Sequence, residues 1–409
     1  MQMRSWWPRQ LLLGWLNLVL TAPLVYLFIG LPLVMREHGW SGTQIGLMQL
    51  TGLPALAKFL LAAPLERWPL GRASYRNWAL LLGLGYVASL LVLAANDLGS
   101  TPYGVLFGLA MLVSLLGTCA DLPINALAIR LLPEAERLRA GAVRSAAVSV
   151  GAIVGGGLML MLHSQLGWAW PLIVLALVVL SGVLVVPLLP EPALDGSATQ
   201  APTLGANHWL AWFAMPGQRR WALLLVLYYP LIGAVWVFLK PLMLDQGFAP
   251  EHIARIVGVG GGVAAALASL AGGYVSRRCG TQVALPLFAA CNLLALGLMA
   301  LVTGLAPGAT ALTVAALVVA LMMGASGGLV FGLMMDHARP GLAALDYGIQ
   351  SSLFVVGRTL LPMLAGVLLD HVGYAGLFAC LLAGLALMLT WLLAGGQPLR
   401  PVPQARPTE

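Results

Sequence analysis

Charged side chains interrupt several long apolar segments of this sequence. Asp121 lies in one segment, with Asn125 four positions later on the same helix face, and Lys58 and Arg358 lie in two others. An ionised carboxylate at the centre of a bilayer costs about 2.5–3.5 kcal/mol, so it normally faces a cavity, a partner or a pathway. A Lys58–Asp121 pair would act either as a proton-linked switch or as a structural ion pair, and the residue types leave both open.

Cations outnumber acids within the apolar segments. Lys240 and Arg255 join Lys58 and Arg358 against Asp121, which predicts a net positive cavity suited to an anionic solute. Lys240 and Arg255 lie near segment ends, where reaching to the interface is an alternative. Polar and aromatic residues that could line the cavity, although each alone could simply pack between helices, are Asn17, Tyr26, Tyr228, Tyr229, Trp236, Gln350 and Ser351.

The composition predicts a membrane protein, since 60% of the 409 residues are apolar, 9% are charged and the mean hydropathy is +0.92. Segments of about 20 apolar residues can cross a bilayer as helices. We predict twelve spans: Leu11–Met35, Thr43–Leu65, Asn77–Ala95, Tyr103–Leu131, Gly141–His163, Ala169–Leu189, Trp221–Leu244, Glu251–Val275, Gln282–Leu305, Thr310–Met335, Gly348–Leu369 and Gly376–Ala394. The first apolar segment is too long for a signal peptide and lacks a small-residue cleavage site, so we expect it to be retained.

The basic residues predict the topology. Most of the 21 Lys and Arg residues lie in or beside alternate connections, starting with the N-terminal tail that carries Arg4. By the positive-inside rule, both termini, including Arg400 and Arg406, are cytoplasmic. The net charge of +7 therefore indicates orientation in a membrane and no nucleic-acid partner.

Motifs typical of enzymes are missing from the sequence. It contains no P-loop for ATP hydrolysis and no HExxH, and its four cysteines have no CxxC spacing. We therefore expect no enzyme activity, no cofactor and no bound metal. A membrane-bound transferase would need a clustered cytoplasmic set of catalytic residues, which the sequence does not show.

The polar segment Pro190–Gln218 separates six spans from six. We predict an N-terminal half at residues 1–189, a cytoplasmic linker with an interfacial helix at 190–220, and a C-terminal half at 221–409. Arg144–Gly157 and Gln350–Met363 align as a repeat, and the same offset pairs LGW with VGY, so that Gly167 matches Gly373. An all-α protein of two six-helix halves follows the plan of the major facilitator fold.

Two basic loops resemble the G-x-L-a-D-R-x-G-R loop that latches the halves of major facilitators on the cytoplasmic side. They are PLERWPLGR, after span two, and GGYVSRRCG, after span eight. Glu66 takes the acidic position in the first copy, and Ser276 replaces it in the second. The alternative is a pair of basic turns that only fix topology. The predicted gate residues are Glu66, Arg67, Arg72, Arg277 and Arg278.

The segment from Gly30 to Arg67 resembles AmpG-type muropeptide permeases. Its matches to the family pattern in span two are Leu53, Pro54, Lys58, Phe59, Pro64 and Arg67. Asp121 and Ala126 match the D-x-x-x-D-A of span four, and DYGIQSSLFVVGR resembles the D-Y-x-x-Q-x-S of span eleven. Asn125 replaces the second acid, and Tyr229-Pro230 replaces a Gly-Asp pair in span seven.

With these departures, and with the segments PRQLLLGWLNLVLTAPLVYLFIGLPLV at the start and ADLPINALA in span four, the sequence looks more similar to the FptX and RhtX branch, whose members are inner-membrane siderophore permeases. The resemblance implies a monomeric importer of an anionic ferric siderophore such as ferric pyochelin, working with an outer-membrane receptor. It would be proton-coupled through Asp121 and Lys58. We expect the substrate to contact Arg358, Asn125, Asn17, Tyr26, Tyr229, Trp236, Lys240 and Gln350. A muropeptide permease and an efflux carrier of the same fold are the alternatives.

Overall fold

The computed structural model describes residues 6–191, 207–305, 308–339 and 341–395. The predicted linker therefore lies outside the described residues at 192–206, as do the terminal residues Arg4, Arg400 and Arg406. A short helix at Asn207–Ala214 occupies the place of the predicted interfacial helix.

All regular structure in the described ranges is helical. The helices before residue 192 are α1 (Trp7–Val25), α2 (Leu31–Glu37), α3 (Gly42–Met48), α4 (Leu53–Leu56), α5 (Lys58–Arg67), α6 (Ser74–Ala95), α7 (Tyr103–Leu131), α8 (Glu134–Ile153), α9 (Met159–Leu166) and α10 (Ala169–Val185). Those after residue 206 are α11 (Asn207–Ala214), α12 (Gln218–Asp245), α13 (Pro250–Ile253), α14 (Gly261–Cys279), α15 (Thr281–Gly304), α16 (Ala309–Asp336) and α17 (Ala343–Ala394).

Within the described residues, ten continuous helical segments are long and apolar enough to cross a membrane. The helices α3 to α5 make one further candidate, in which Thr43–Leu56 and Lys58–Arg67 meet at a bend of 41°. The 52-residue α17 contains a break at Gly373 and so comprises two helices. Counted in this way, the helices account for the twelve predicted spans.

The break at Gly373 is supported by the predicted repeat. Gly373 has φ 65° and ψ −175°, and its repeat partner Gly167, which ends α9, has φ 83° and ψ −170°. Residues other than glycine rarely adopt this left-handed backbone conformation. Both members of the predicted repeat therefore use glycine in the same way to turn the chain between consecutive spans.

Three of the described spans contain π-helical turns: Tyr26–Gly30 after α1, Val154–Leu158 after α8 and Ala254–Gly260 before α14. Gly155 lies directly against the carbonyl oxygen of Ala22, where a Cβ atom would clash. Small residues let membrane helices approach closely, since lipid provides no hydrophobic drive for their association. The glycine-rich segment of span five therefore packs tightly on span one.

Contacts between Cα atoms divide the chain into two compact units. The first unit contains Met1–Pro133, Val150–His208 and Ala338–Ser352. The second contains Glu134–Ser149, Trp209–His337 and Leu353–Glu409. Both α8 and α17 thus contribute residues to each unit, while the division into halves at the linker stays a prediction.

Each unit has its own buried interior. In the first, Tyr75 and Tyr86 are fully buried, and the Tyr86 ring packs against Gly117 of α7. In the second, α14 and α16 pack so closely that Gly324 lies against the backbone of Ala265.

Candidate functional site

Lys58 and Asp121 form an ion pair in the first unit. The Nζ atom of Lys58 lies 2.8 Å from Oδ2 of Asp121, and the side chains are 11% and 12% exposed. The amide of Asn125 donates to the other carboxylate oxygen at 2.9 Å. The three polar residues of spans two and four that the sequence singled out are therefore in direct contact.

A break in span two sets the position of Lys58. Helix α4 ends at Leu56, Ala57 leaves the helical conformation with ψ 16°, and α5 begins at Lys58. Pro54 lies in the first turn of α4 and has no backbone N–H to bond to the turn before it. Half-helices inside membranes commonly place their termini at binding sites. Lys58 is thus the first residue of a half-helix whose N-terminus carries positive dipole charge.

Residues of span eleven hold this break in place. The Oγ atom of Ser352 accepts a hydrogen bond from the backbone N–H of Phe59 at 3.2 Å. A Cβ atom on Gly348 would lie 3.0 Å from the carbonyl oxygen of Lys58. The role of Ser352 was not apparent from the sequence, because nothing local to either segment indicates that they meet.

The other predicted lining residues of the first unit are buried and engaged with the backbone. Asn17 donates to the Leu13 carbonyl at 2.7 Å, and Gln350 donates to the Asp346 carbonyl at 3.1 Å. Tyr26 is 1% exposed, and its ring lies over Gly30. These contacts fit the packing role that the sequence left open.

The second unit holds the remaining predicted substrate residues. Arg358 is exposed although it lies midway along a span, and its charge acts on the Tyr229 phenol. The Tyr229 ring also packs on Phe354, with centroids 5.1 Å apart. Lys240 is exposed, and Trp236 packs against Gly261. Arg358 and Tyr229 are therefore brought together, while Trp236 and Lys240 lie farther along α12.

Glu66 makes the contacts of a helix cap. Its carboxylate accepts hydrogen bonds from the backbone N–H groups of Ala344 at 2.8 Å and Leu345 at 3.3 Å. It also accepts from the Tyr75 hydroxyl at 2.8 Å. Arg130 lies over the Tyr75 ring at 4.5 Å and so places a positive charge nearby. Tyr75 and Arg130 are contributors that the loop motif did not reveal.

The arginines of the two loops differ in their surroundings. Arg67 lies over Trp68 and Arg278 over Tyr274, at 5.8 and 5.3 Å, while Arg72 is exposed. Arg277 lies within electrostatic range of Glu136 and Arg139, which pair with each other at 2.6 Å.

Ser276 donates to Gly272 of its own helix. The second loop therefore has no carboxylate at the position that Glu66 occupies in the first. Glu136, from the start of α8, lies within electrostatic range of Arg277 instead. The gating roles of these residues stay predictions.

The second unit also contains a seam of small residues. The hydroxyls of Ser145 and Ser269 lie 2.9 Å apart, and Ser269 donates to the Gly324 carbonyl. Gly141 of α8 lies directly against the backbone of Gly332 in α16. Span five is thereby fixed to spans eight and ten without bulky side chains.

Comparisons with known proteins place this arrangement in a family. Residues 13–362 match the model of the Major Facilitator Superfamily. An uncharacterised protein of Haemophilus influenzae is 25% identical over 369 residues, 86% of each chain.

Several solved structures share the fold alone, because their identity to this chain is low. The transporter FucP in its outward conformation has a TM-score of 0.71 and 17% identity, over 96% of this chain and 99% of that one. The human organic anion transporter MFSD10 has a TM-score of 0.70 and 20% identity, covering 94% and 99%. A bacterial homologue of ferroportin in the outward-facing state has a TM-score of 0.70 and 16% identity, covering 94% and 98%.

The family match extends over most of the chain and over both units. It agrees with the all-helical fold, the apolar spans and the polar residues buried within them. Members of this family are secondary carriers of small molecules and are generally not enzymes. The chain belongs to the Major Facilitator Superfamily and is a multi-pass membrane transporter.

Proposed function

We propose that this transporter imports an anionic ferric siderophore, such as ferric pyochelin, across the bacterial inner membrane into the cytoplasm. The observation that carries the proposal is the charge arrangement within the spans. Asp121 is paired with Lys58, whereas Arg358 and Lys240 are exposed and can attract an anion. The resemblance of the sequence to FptX and RhtX permeases supports the same substrate class.

Proton coupling is proposed to act through Asp121. A carboxylate held by one ammonium group and one amide is stabilised in its charged form, and protonation weakens both contacts. Inward movement of protons would then drive uptake. Asp121→Asn should abolish accumulation that is sensitive to a protonophore, and full retention of such accumulation would contradict the assignment.

Arg358 is proposed to contact the anionic part of the substrate. Its side chain is exposed, its charge acts on Tyr229, and its guanidinium offers five N–H donors in a fixed geometry. Arg358→Gln should weaken binding of the chelate and leave the protein folded. Unchanged affinity would remove Arg358 from the site.

The basic loops and the family resemblance also support an orientation in the membrane and a set of partners. The basic loops favour cytoplasmic termini, and the substrate would arrive in the periplasm through an outer-membrane siderophore receptor. We propose a monomer in the lipid bilayer, because the resemblance implies one and each predicted role needs residues of a single chain. A receptor gene beside the gene for this chain would corroborate the proposal.

The direct test is uptake of ⁵⁵Fe-labelled pyochelin by bacteria whose own inner-membrane siderophore permeases are deleted. Cells expressing the chain should accumulate iron in the cytoplasm, and cells with an empty vector should not. A parallel assay offers a radiolabelled anhydro-muropeptide, because Leu53, Pro54 and Lys58 match the muropeptide-permease pattern. Uptake of the muropeptide alone, or export of preloaded chelate, would replace the proposal by one of its alternatives.

A further inference from the structure

The Lys58–Asp121 pair has no net charge, and this balance restricts how it can change. The pair is largely buried, and removing one partner of a buried ion pair is strongly destabilising, because the other charge is left uncompensated. A proton on Asp121 would leave the buried charge of Lys58 uncompensated. The protonated empty site is therefore strongly disfavoured unless another negative charge takes the place of the carboxylate.

The geometry lets Lys58 change partner more easily than Asp121. Asp121 lies within the continuous helix α7, and its Oδ1 atom is also held by Asn125. Lys58 has a long flexible stem and lies at the first turn of α5, where the helix dipole also favours an anion. The ammonium group is thus a buried anion receptor whose occupant in this structure is the Asp121 carboxylate.

Other ionisable groups of the packed helices have different surroundings. The Cys119 thiol of α7 lies within electrostatic range of Lys58. Asp346 of α17 is paired with Arg339 at 2.6 Å, and Glu66 at the far end of α5 caps α17. Asp121 is the group in direct contact with Lys58, so its protonation decides whether the receptor is free.

We infer that Lys58 binds a negative charge of the substrate, and that it becomes available only when Asp121 takes up a proton. This inference rests on the proposed import of an anion. Arg358 would increase the affinity for that anion, and its contribution would not depend on whether Asp121 is protonated. The site is neutral when empty, as Asp⁻ with Lys⁺. It is neutral again when loaded, as AspH with Lys⁺ and the anion. One proton therefore enters with each substrate molecule, and an unloaded protonated carrier is rare.

Reciprocal linkage gives the expected pH dependence. If binding takes up one proton, the affinity for the anion falls by up to about tenfold for each unit of rising pH once Asp121 is ionised. Asp121→Asn mimics the protonated acid and should bind the anion with similar affinity at pH 5.5 and 8.5. Arg358→Gln should weaken binding by a similar factor at every pH.

The main experiment measures binding of ⁵⁵Fe-labelled pyochelin to the purified full chain from pH 5.5 to 8.5, with a pH indicator dye in weak buffer. Wild type should take up about one proton per chelate bound at high pH, and Asp121→Asn should take up none. The matched neutral variant Lys58→Met with Asp121→Asn avoids an unpaired buried charge, so it should fold and lose the binding that Lys58 supports. The inference is overturned if this double variant binds like Asp121→Asn, or if Asp121→Asn keeps the wild-type pH dependence.

A second arm separates this inference from the choice of siderophore. Salicylate serves as a small anionic probe, and its effect on the thermal unfolding midpoint is measured. It should stabilise wild type at pH 5.5 more than at pH 8.5, Asp121→Asn equally at both, and the double variant at neither. The same pattern without chelate binding would reject only the siderophore, whereas stabilisation of all three proteins alike would reject Lys58 as the receptor.

Discussion

The Glu66 carboxylate caps the backbone N–H of Ala344 at 2.8 Å, although 278 positions separate the two residues. Ala344 lies in the first turn of α17, where N–H groups have no partner within the helix. A carboxylate there satisfies those donors and interacts favourably with the helix dipole. The contact therefore ties the end of span two to the start of span eleven within one unit.

Removing the charge of Glu66 should loosen this attachment. Hydrogen bonds to charged groups contribute about 1.5–3 kcal/mol, so Glu66→Gln should lower the thermal unfolding midpoint in detergent and speed amide exchange at Ala344 and Leu345. Glu251→Gln, at an exposed carboxylate, is the control and should have little effect. Equal midpoints for the two variants would show that Glu66 does not stabilise the start of α17.

Asn125 should affect how readily Asp121 ionises in the Lys58–Asp121 site. Its amide donates to Asp121 at 2.9 Å, so Asn125→Ala should destabilise the ionised carboxylate by about 1.5–3 kcal/mol. Asn125→Asp instead adds a second acid beside Lys58, and like charges disfavour ionisation of both. We expect Asn125→Asp to reduce uptake of the anionic chelate at least tenfold at pH 7, measured with ⁵⁵Fe. Uptake equal to that of wild type would show that the second acid does not set substrate charge.

Gly141 is predicted to be intolerant of a side chain. A Cβ atom there would collide with the backbone of Gly332, and overpacking typically costs about 1–3 kcal/mol. Gly141→Ala should therefore lower the unfolding midpoint and reduce transport. The control is Gly297→Ala in α15, where a Cβ atom meets no neighbour within 4 Å and helix propensity improves by about 1 kcal/mol. A midpoint for Gly141→Ala as high as that of the control would contradict the close packing of the seam.

His337, between α16 and α17, should make the protein sensitive to acid. Burial lowers the pKa of His337 from 6.5 to about 4, while the ring stacks on Trp221 with centroids 4.6 Å apart. The unfolded chain binds this proton near pH 6.5 and the folded chain does not. Stability should therefore fall, by as much as about 3 kcal/mol, as pH falls from 6.5 to 4.

His337→Phe keeps the stacking and removes the titrating group. Its unfolding midpoint should change less between pH 6.5 and 4 than that of wild type. His371→Phe is the matched control, because His371 bonds its backbone in the same way but is exposed. If His371→Phe loses the acid sensitivity and His337→Phe keeps it, His337 is not the group that causes the loss of stability.

Many features of the fold follow from local sequence. Apolar segments of sufficient length predicted the spans, because crossing a bilayer requires a continuous helix of about 20 residues. The repeat pairs Gly167 with Gly373, and the structure shows that both glycines adopt the left-handed backbone. The span-two break at Ala57 lies three residues after Pro54, and its location was not predicted from the sequence.

The candidate site depended on packing between distant segments. Sequence indicated that Lys58 and Asp121 could meet but left a switch and a structural pair equally open, and it gave no sign of the contact between Phe59 and Ser352. Patterns in a sequence report forces that act over one or two helical turns. The pairing of buried charges depends on helices that are far apart in the chain. Close packing of small residues brings these helices together; here a Cβ atom on Gly348 would lie 3.0 Å from the carbonyl oxygen of Lys58. The sequence alone thus determined a twelve-span carrier with charges in its spans, and the tertiary structure made Lys58 the partner of Asp121 at the start of a half-helix.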